Sequence, residues 1–189
     1  MKTFITCLSL CLFALSGCTS LLSHVYTKPI EQDENARSWG GWLDDHSIET
    51  VVGINILKSA KGFKTSFIEV TSYKGNVLLT GRVNNPVLKK RATVVARKVN
   101  KVKQVYNELG CDLPRTFLAR SNDSWLSLKI KTKMLMTISF PDSKVKLTTY
   151  KGAVYLMGTV TAKEARMAVD IVKSTGGVQR VVKIFEYVS

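Results

Sequence analysis

Tyr73-Lys74-Gly75-Asn76-Val77-Leu78-Leu79-Thr80-Gly81-Arg82-Val83 returns later in the chain as Tyr150-Lys151-Gly152-Ala153-Val154-Tyr155-Leu156-Met157-Gly158-Thr159-Val160, with seven of eleven positions identical at a spacing of 77. Self-similarity at a fixed spacing marks a duplicated structural unit. Within each copy a Lys-Gly turn opens onto an apolar strand, Val77 to Val83 and Val154 to Val160. The segments just before them alternate as strands do. Phe67-Ile68-Glu69-Val70-Thr71 pairs through Lys74-Gly75-Asn76, and Val145-Lys146-Leu147-Thr148-Thr149 through Lys151-Gly152, giving one hairpin per copy.

The repeat extends outward with less identity. Asp45, Ile48, Val52, Ile56 and Leu57 align with Asp123, Leu126, Ile130, Met134 and Leu135 at a spacing of 78. These offsets put one apolar stripe on a helix, with the aspartate expected just before its start as a cap. Downstream, Leu88, Ala92, Val95 and Val99 form a second helical stripe, matched by Ala165, Val169 and Val172. A last strand closes each copy, Gln104 to Leu109 and Val181 to Tyr187. The expected fold class is α+β: two tandem α-β-β-α-β units, 44–113 and 122–189, each a small mixed three-stranded sheet packed with two helices. Units of roughly 65 to 70 residues bury only a modest core, which favours packing of the two against each other.

Upstream of the repeats, Met1-Lys2 leads into an apolar run from Phe4 to Leu15, too short to span a bilayer and of the length of a secretory signal. Its exit, Leu15-Ser16-Gly17-Cys18, resembles the lipobox of bacterial lipoproteins. The resemblance implies a signal peptide over 1–17 and acylation of Cys18. Because neither Thr19 nor Ser20 is aspartate, it also implies sorting to the periplasmic face of the outer membrane of a Gram-negative cell. Residues 18–43, with Pro29 and Gly40-Gly41, read as a lipidated tether. Cleavage removes Cys7 and Cys11, so the mature chain keeps Cys18 and Cys111, and we expect the Cys111 thiol to be buried.

The whole chain carries a formal net charge of +14, one less once Lys2 is removed. Nucleic acid is the usual partner of so basic a surface, but an exported, lipid-tethered chain meets anionic lipid headgroups instead, and no nucleic-acid partner is expected. Enzyme chemistry finds little support and no cofactor is expected. His24 lies in the tether, and Asp44-Asp45-His46 reads as helix-start capping rather than a metal site. The serines lack a nucleophile elbow.

The first helix of the second unit is the candidate binding surface. Stepping 100° per residue, Leu126, Ile130 and Met134 share the core side, whereas Trp125, Leu128, Thr132, Leu135 and Met136 fall on the other, flanked by Lys129, Lys131 and Lys133. A helix apolar on both sides, with lysines between, suits a lipid interface. The matching helix of the first unit offers Glu49 and Asn55, with no lysine before Lys58, and so serves as a polar contrast. The competing reading buries Trp125 against the first unit.

The element order and the signature Lys-Gly-x-Val-x-Leu-x-Gly-x-Val in both copies resemble the BON domain, and two copies behind a lipobox resemble the dual-BON outer-membrane lipoproteins of the DolP type. That resemblance implies binding of anionic phospholipids such as phosphatidylglycerol and cardiolipin through the second unit. The implied positions are Trp125, Lys129, Ile130, Lys131 and Leu135, with Leu128 and Lys133 added by the helical wheel. It further implies support of outer-membrane integrity, enriched at the division site. The alternative function is a protein-interaction module, whose first unit regulates an envelope partner such as an amidase activator or the outer-membrane assembly machinery.

Overall fold

Each hairpin closes over two residues, because Tyr73 pairs with Asn76 and Tyr150 with Ala153. Such a turn needs left-handed backbone at both central positions to match the strand twist. Lys74 and Gly75 have φ of 48° and 84°, and Lys151 and Gly152 of 52° and 69°. At Gly75 a side chain is excluded twice over, since a Cβ would lie 2.4 Å from the Lys101 carbonyl oxygen.

The computed structural model describes residues 38–112 and 116–189. The expected signal segment 1–17, the expected lipidation site Cys18, His24 and the expected tether as far as residue 37 lie outside the described residues. The first repeat comprises α1 (Trp39–Ser59), a 3-10 turn (Lys61–Thr65), β1 (Phe67–Tyr73), β2 (Asn76–Arg82), α2 (Pro86–Arg97) and β3 (Gln104–Asn107). The second comprises α3 (Phe117–Met136), a 3-10 turn (Asp142–Lys144), β4 (Val145–Tyr150), β5 (Ala153–Val160), α4 (Ala162–Lys173) and β6 (Arg180–Tyr187). In each sheet the middle strand runs antiparallel to its hairpin partner and parallel to the closing strand. The fold is α+β with two small mixed sheets.

Both first helices begin earlier than the sequence suggests. Ser38 caps α1 by accepting from the Gly41 N–H at 3.1 Å, and Thr116 caps α3 by accepting from the Ala119 N–H at 3.2 Å. Residues 39–43 are therefore helix rather than tether, despite the roughly 1 kcal/mol that each glycine costs there. The aspartates read as caps lie two turns inside their helices and do something else. Asp45, 1% exposed, accepts from Ser72 Oγ at 2.7 Å, the Lys74 N–H at 2.9 Å and the Gly75 N–H at 3.1 Å. Asp123 accepts from the Lys151 and Gly152 N–H groups at 2.8 and 2.9 Å. Each carboxylate thus holds the turn of its own hairpin, satisfying donors that the two-stranded ladder leaves over.

One side of each sheet faces its own helices. Val77 and Leu79 join Ile48, Val52, Ile56, Leu88, Ala92 and Ala96 in the first core. Val154 and Leu156 join Leu126, Ile130, Met134, Ala168 and Val172 in the second. The opposite sides face each other: Tyr73, Leu78, Tyr150, Ala153, Tyr155, Met157 and Ile184 make a third core that draws on both repeats. Equivalent residues meet there, as Thr71 Oγ1 and Thr148 Oγ1 do at 3.3 Å. This is the isologous contact of a twofold dimer, built within one chain. The layers run helices, sheet, sheet, helices, and burial on both faces explains why β2 and β5 read as continuous apolar runs.

Polar contacts at the rim of this interface are not symmetric. Lys146 Nζ donates to Glu49 Oε1 at 2.6 Å and to the Ser72 carbonyl at 3.0 Å, and Asn76 donates to Glu186 at 2.8 Å. The Tyr155 hydroxyl donates to Glu108 at 3.2 Å, while Arg180 donates to Glu108 at 2.9 Å and to the phenolic oxygen at 3.1 Å. Burial, followed by the Glu108 carboxylate, pushes the Tyr155 phenol up from its ordinary 10.0 to about 12, against the pull of Arg180. A pKa raised on folding gives stability that is complete below the unfolded value and lost as pH rises through the folded one. We expect this contact to weaken by about 2 kcal/mol between pH 10 and 12. Near-ultraviolet circular dichroism across that range should show a component that Tyr155→Phe abolishes; identical titrations would refute the assignment.

Candidate functional site

The inward row of α3 is Asp123, Leu126, Ile130 and Met134. Ile130 is fully buried among the apolar side chains of the second core, which corrects its expected place at a headgroup contact. Trp125, Leu128, Leu135 and Met136 stand on the opposite side, 60%, 54%, 71% and 79% exposed. The first repeat does not cover them, because it meets the second through the sheets. The earlier start of α3 adds Phe117 and Leu118, both exposed, to the same stripe, and Ile138 continues it past the helix end. Sequence reading missed Phe117 and Leu118 because Asp123 was taken as the boundary; Thr116, a better cap, was the available signal.

The basic residues lie along both borders of the stripe, with Lys129 and Lys133 on one flank and Arg120 and Lys131 on the other. Lys129 Nζ donates to the Gly176 carbonyl at 2.9 Å and Lys133 Nζ to the Ser174 carbonyl at 3.0 Å. These two ammonium groups satisfy carbonyls at the C-terminal end of α4 and oppose its dipole, so they are positioned rather than waving free. Arg120 and Lys131 are exposed and make no ion pair among the described residues. The sole carboxylate on α3 is the inward Asp123.

The seating of α4, on which those lysines depend, is fixed at its other end. Thr161 and Glu164 form a capping box, each side chain accepting from the other's backbone N–H. Burial works against the Glu164 carboxylate, but the Thr161 N–H and the Lys144 ammonium at 3.1 Å outweigh it and hold its pKa below the usual range.

The first repeat is not the polar contrast that its sequence suggested. Glu49 turns toward the second repeat, accepting from the Ser72 N–H at 2.7 Å and from Lys146. The side of α1 opposite its buried row presents Trp39, Leu43, Ile54 and Leu57, all exposed. The trio weighed as a metal site also disperses: Asp44 pairs with Lys101 at 2.7 Å, Asp45 holds the turn, and His46 stacks on Trp42. Among the described residues no group of His, Cys, Asp and Glu is placed to hold a metal ion. Cys111 is exposed, contrary to expectation. The core contribution of that segment ends at Leu109, and the backbone bridge from Gly110 to Arg82 leaves the next residue facing solvent.

Among the described residues no helix is long and apolar enough to cross a membrane. The BON domain family model matches residues 44–110 and 122–189. The chain is 34% identical to the outer membrane lipoprotein DolP of Haemophilus influenzae over 94% of its own length and 88% of the relative's. It is 30% identical to a 21 kDa hemolysin of Actinobacillus pleuropneumoniae over 86% and 82%. Among solved structures, the C-terminal domain of CdsD, a structural protein of the Chlamydia trachomatis type III secretion system, aligns over 85% of this chain and all of that one. The TM-score is 0.28 and the identity 14%. With the BON model matching both repeats and the outer membrane lipoprotein DolP matched over 94% of its length, the chain belongs to the BON-domain family, as a two-repeat outer-membrane lipoprotein of the DolP type.

Proposed function

We propose that this chain is a non-enzymatic lipoprotein, held by acylated Cys18 to the periplasmic face of the outer membrane, that lays the outer face of α3 on anionic phospholipid. The observation that carries the reading is the exposed stripe from Phe117 to Met136, bordered on both flanks by cations and free of outward carboxylates. Trp125 suits headgroup depth, where an amphipathic ring keeps its body in the apolar zone. Leu128, Leu135 and Met136 enter below it, and Lys129, Lys131 and Lys133 meet phosphates. Ile130 supports this face from beneath without touching lipid.

Magnitudes assign separate roles to the two attachments. Burying the exposed half of four large side chains contributes a few kcal/mol, at about 1.5 to 3 kcal/mol for each whole side chain. Each lysine near an anionic surface adds about 1 kcal/mol. Acyl chains contribute about 0.8 kcal/mol per CH₂ and dominate residence. Cys18 therefore keeps the protein on the membrane, and α3 selects where on it. Enrichment in phosphatidylglycerol and cardiolipin, as at a division site, and support of outer-membrane integrity follow from that selection.

With the acylation site removed, residues 19–189 should sediment with vesicles containing phosphatidylglycerol but not with neutral ones, and less as salt rises. Trp125→Glu with Leu128→Glu should weaken binding by roughly ten-fold or more while leaving the melting temperature unchanged, since both side chains are exposed. Unaltered binding in that folded variant would refute the assignment to α3.

A further inference from the structure

The face of the first repeat that α1 and α2 turn outward has no role in the function proposed above. On α1, Leu43, Ile54 and Leu57 are each about half exposed, at 58%, 46% and 49%. On α2, which packs beside α1 over the same core, Val94 is exposed between Lys90 and Arg97, on the side away from buried Leu88, Ala92 and Ala96. Lys58 lies at the end of α1. Lys58, Lys90 and Arg97 make no ion pair among the described residues.

The order of layers decides what this face can do. With the two sheets meeting at the centre and the helices outside, the α1–α2 face and the α3 face point away from each other. A flat bilayer lying on one leaves the other uncovered.

We propose that the α1–α2 face is a second docking surface for an anionic bilayer, so that one molecule can hold two membrane surfaces on its opposite sides. Apolar and cationic side chains are interleaved here, which a lipid interface satisfies in depth, tails below and phosphates above. A purely ionic partner such as an acidic glycan would engage the cations and leave Leu43, Ile54 and Leu57 in water. The face is made of side chains standing out from two helices, a shape that suits a deformable bilayer. Bridging rests on lipid binding by α3, whereas the contact made by the first repeat does not.

The test uses residues 19–189 and vesicles of phosphatidylglycerol with phosphatidylethanolamine, followed by light scattering for clustering and by sedimentation for binding. The native sequence should cluster vesicles. Leu43→Glu with Ile54→Glu should lower the clustering rate roughly ten-fold while the protein still sediments through α3. Lys90→Glu with Arg97→Glu, which removes charge at exposed positions, should act in the same direction and guards against a folding defect in the first variant. Trp125→Glu with Leu128→Glu should also stop clustering, yet keep residual sedimentation that Leu43→Glu with Ile54→Glu then removes. Binding without clustering, lost entirely in the α3 variant, overturns the first-repeat surface and leaves the α3 reading standing. Binding untouched by the α3 variant but lost with Leu43→Glu and Ile54→Glu upholds the first-repeat surface and overturns the α3 reading. A lipid-free dimer that Leu43→Glu dissociates would assign the face to a second copy and overturn the lipid occupant.

Discussion

Asp45→Ala is expected to destabilise the first repeat by about 3 to 4 kcal/mol, close to the limit for a single side chain. The carboxylate is almost wholly buried and takes three donors at once, the Ser72 hydroxyl and the Lys74 and Gly75 N–H groups. Hydrogen bonds to a charged group contribute about 1.5 to 3 kcal/mol each, and a donor left buried without a partner costs its full desolvation, although the three are not additive. The turn cannot relax to suit, because its left-handed residues are fixed by the strand register on either side. Asp45→Asn should lie between, since an amide keeps one accepting oxygen and offers a donor where another acceptor is needed. Asp123→Ala should act in the same direction on the second repeat, where the carboxylate accepts from the Lys151 and Gly152 N–H groups. Urea unfolding checks this. A loss under 1 kcal/mol would mean that the helix does not hold the hairpin, and a loss reversed by added metal would return Asp45 to the metal reading.

Leu78→Arg is expected to cost more than about 4 kcal/mol and to uncouple the two repeats. Leu78 is fully buried, yet not in the core of its own repeat: it lies between the sheets with Tyr155, Met157 and Ile184. A guanidinium there finds no water, and the Glu108 carboxylate that accepts from neighbouring Tyr155 is already engaged by Arg180. Leu78→Ala, which leaves a cavity and no charge, should cost about 2 to 4 kcal/mol. Calorimetry distinguishes the two outcomes. The alanine variant should melt in one cooperative transition at a lower temperature, whereas the arginine variant should show two transitions, one per repeat. A single transition at the original temperature in Leu78→Arg would show that the sheets do not meet there.

Much of the fold was legible because its signals are local. The Lys-Gly turns announced both hairpins, and the rows Ile48-Val52-Ile56 and Leu126-Ile130-Met134 announced the faces that α1 and α3 bury. Two aspartates misled about where those helices begin, because a carboxylate near a helix start resembles a cap in sequence whether it accepts from its own helix or from a distant hairpin. Moving the boundaries upstream changed the candidate site: Phe117 and Leu118 joined the stripe, residues 39–43 left the tether, and α1 gained an apolar outer face.

Hydrophobic period and turn chemistry act between neighbours along the chain, and they specified two α-β-β-α-β units with a basic, half-apolar helix opening the second. What covers the second side of β2 and β5 is a cluster drawn from both repeats, Leu78 with Tyr155, Met157 and Ile184, to which no local period is sensitive. Packing the sheets together was the tertiary structure's own decision. It buried Leu78 and Tyr155, left Trp125 exposed, drew Glu49 inward to Lys146, and turned the two outer helix faces away from each other. A middle strand that is apolar on both sides must be covered twice, and among the described residues the other repeat does so.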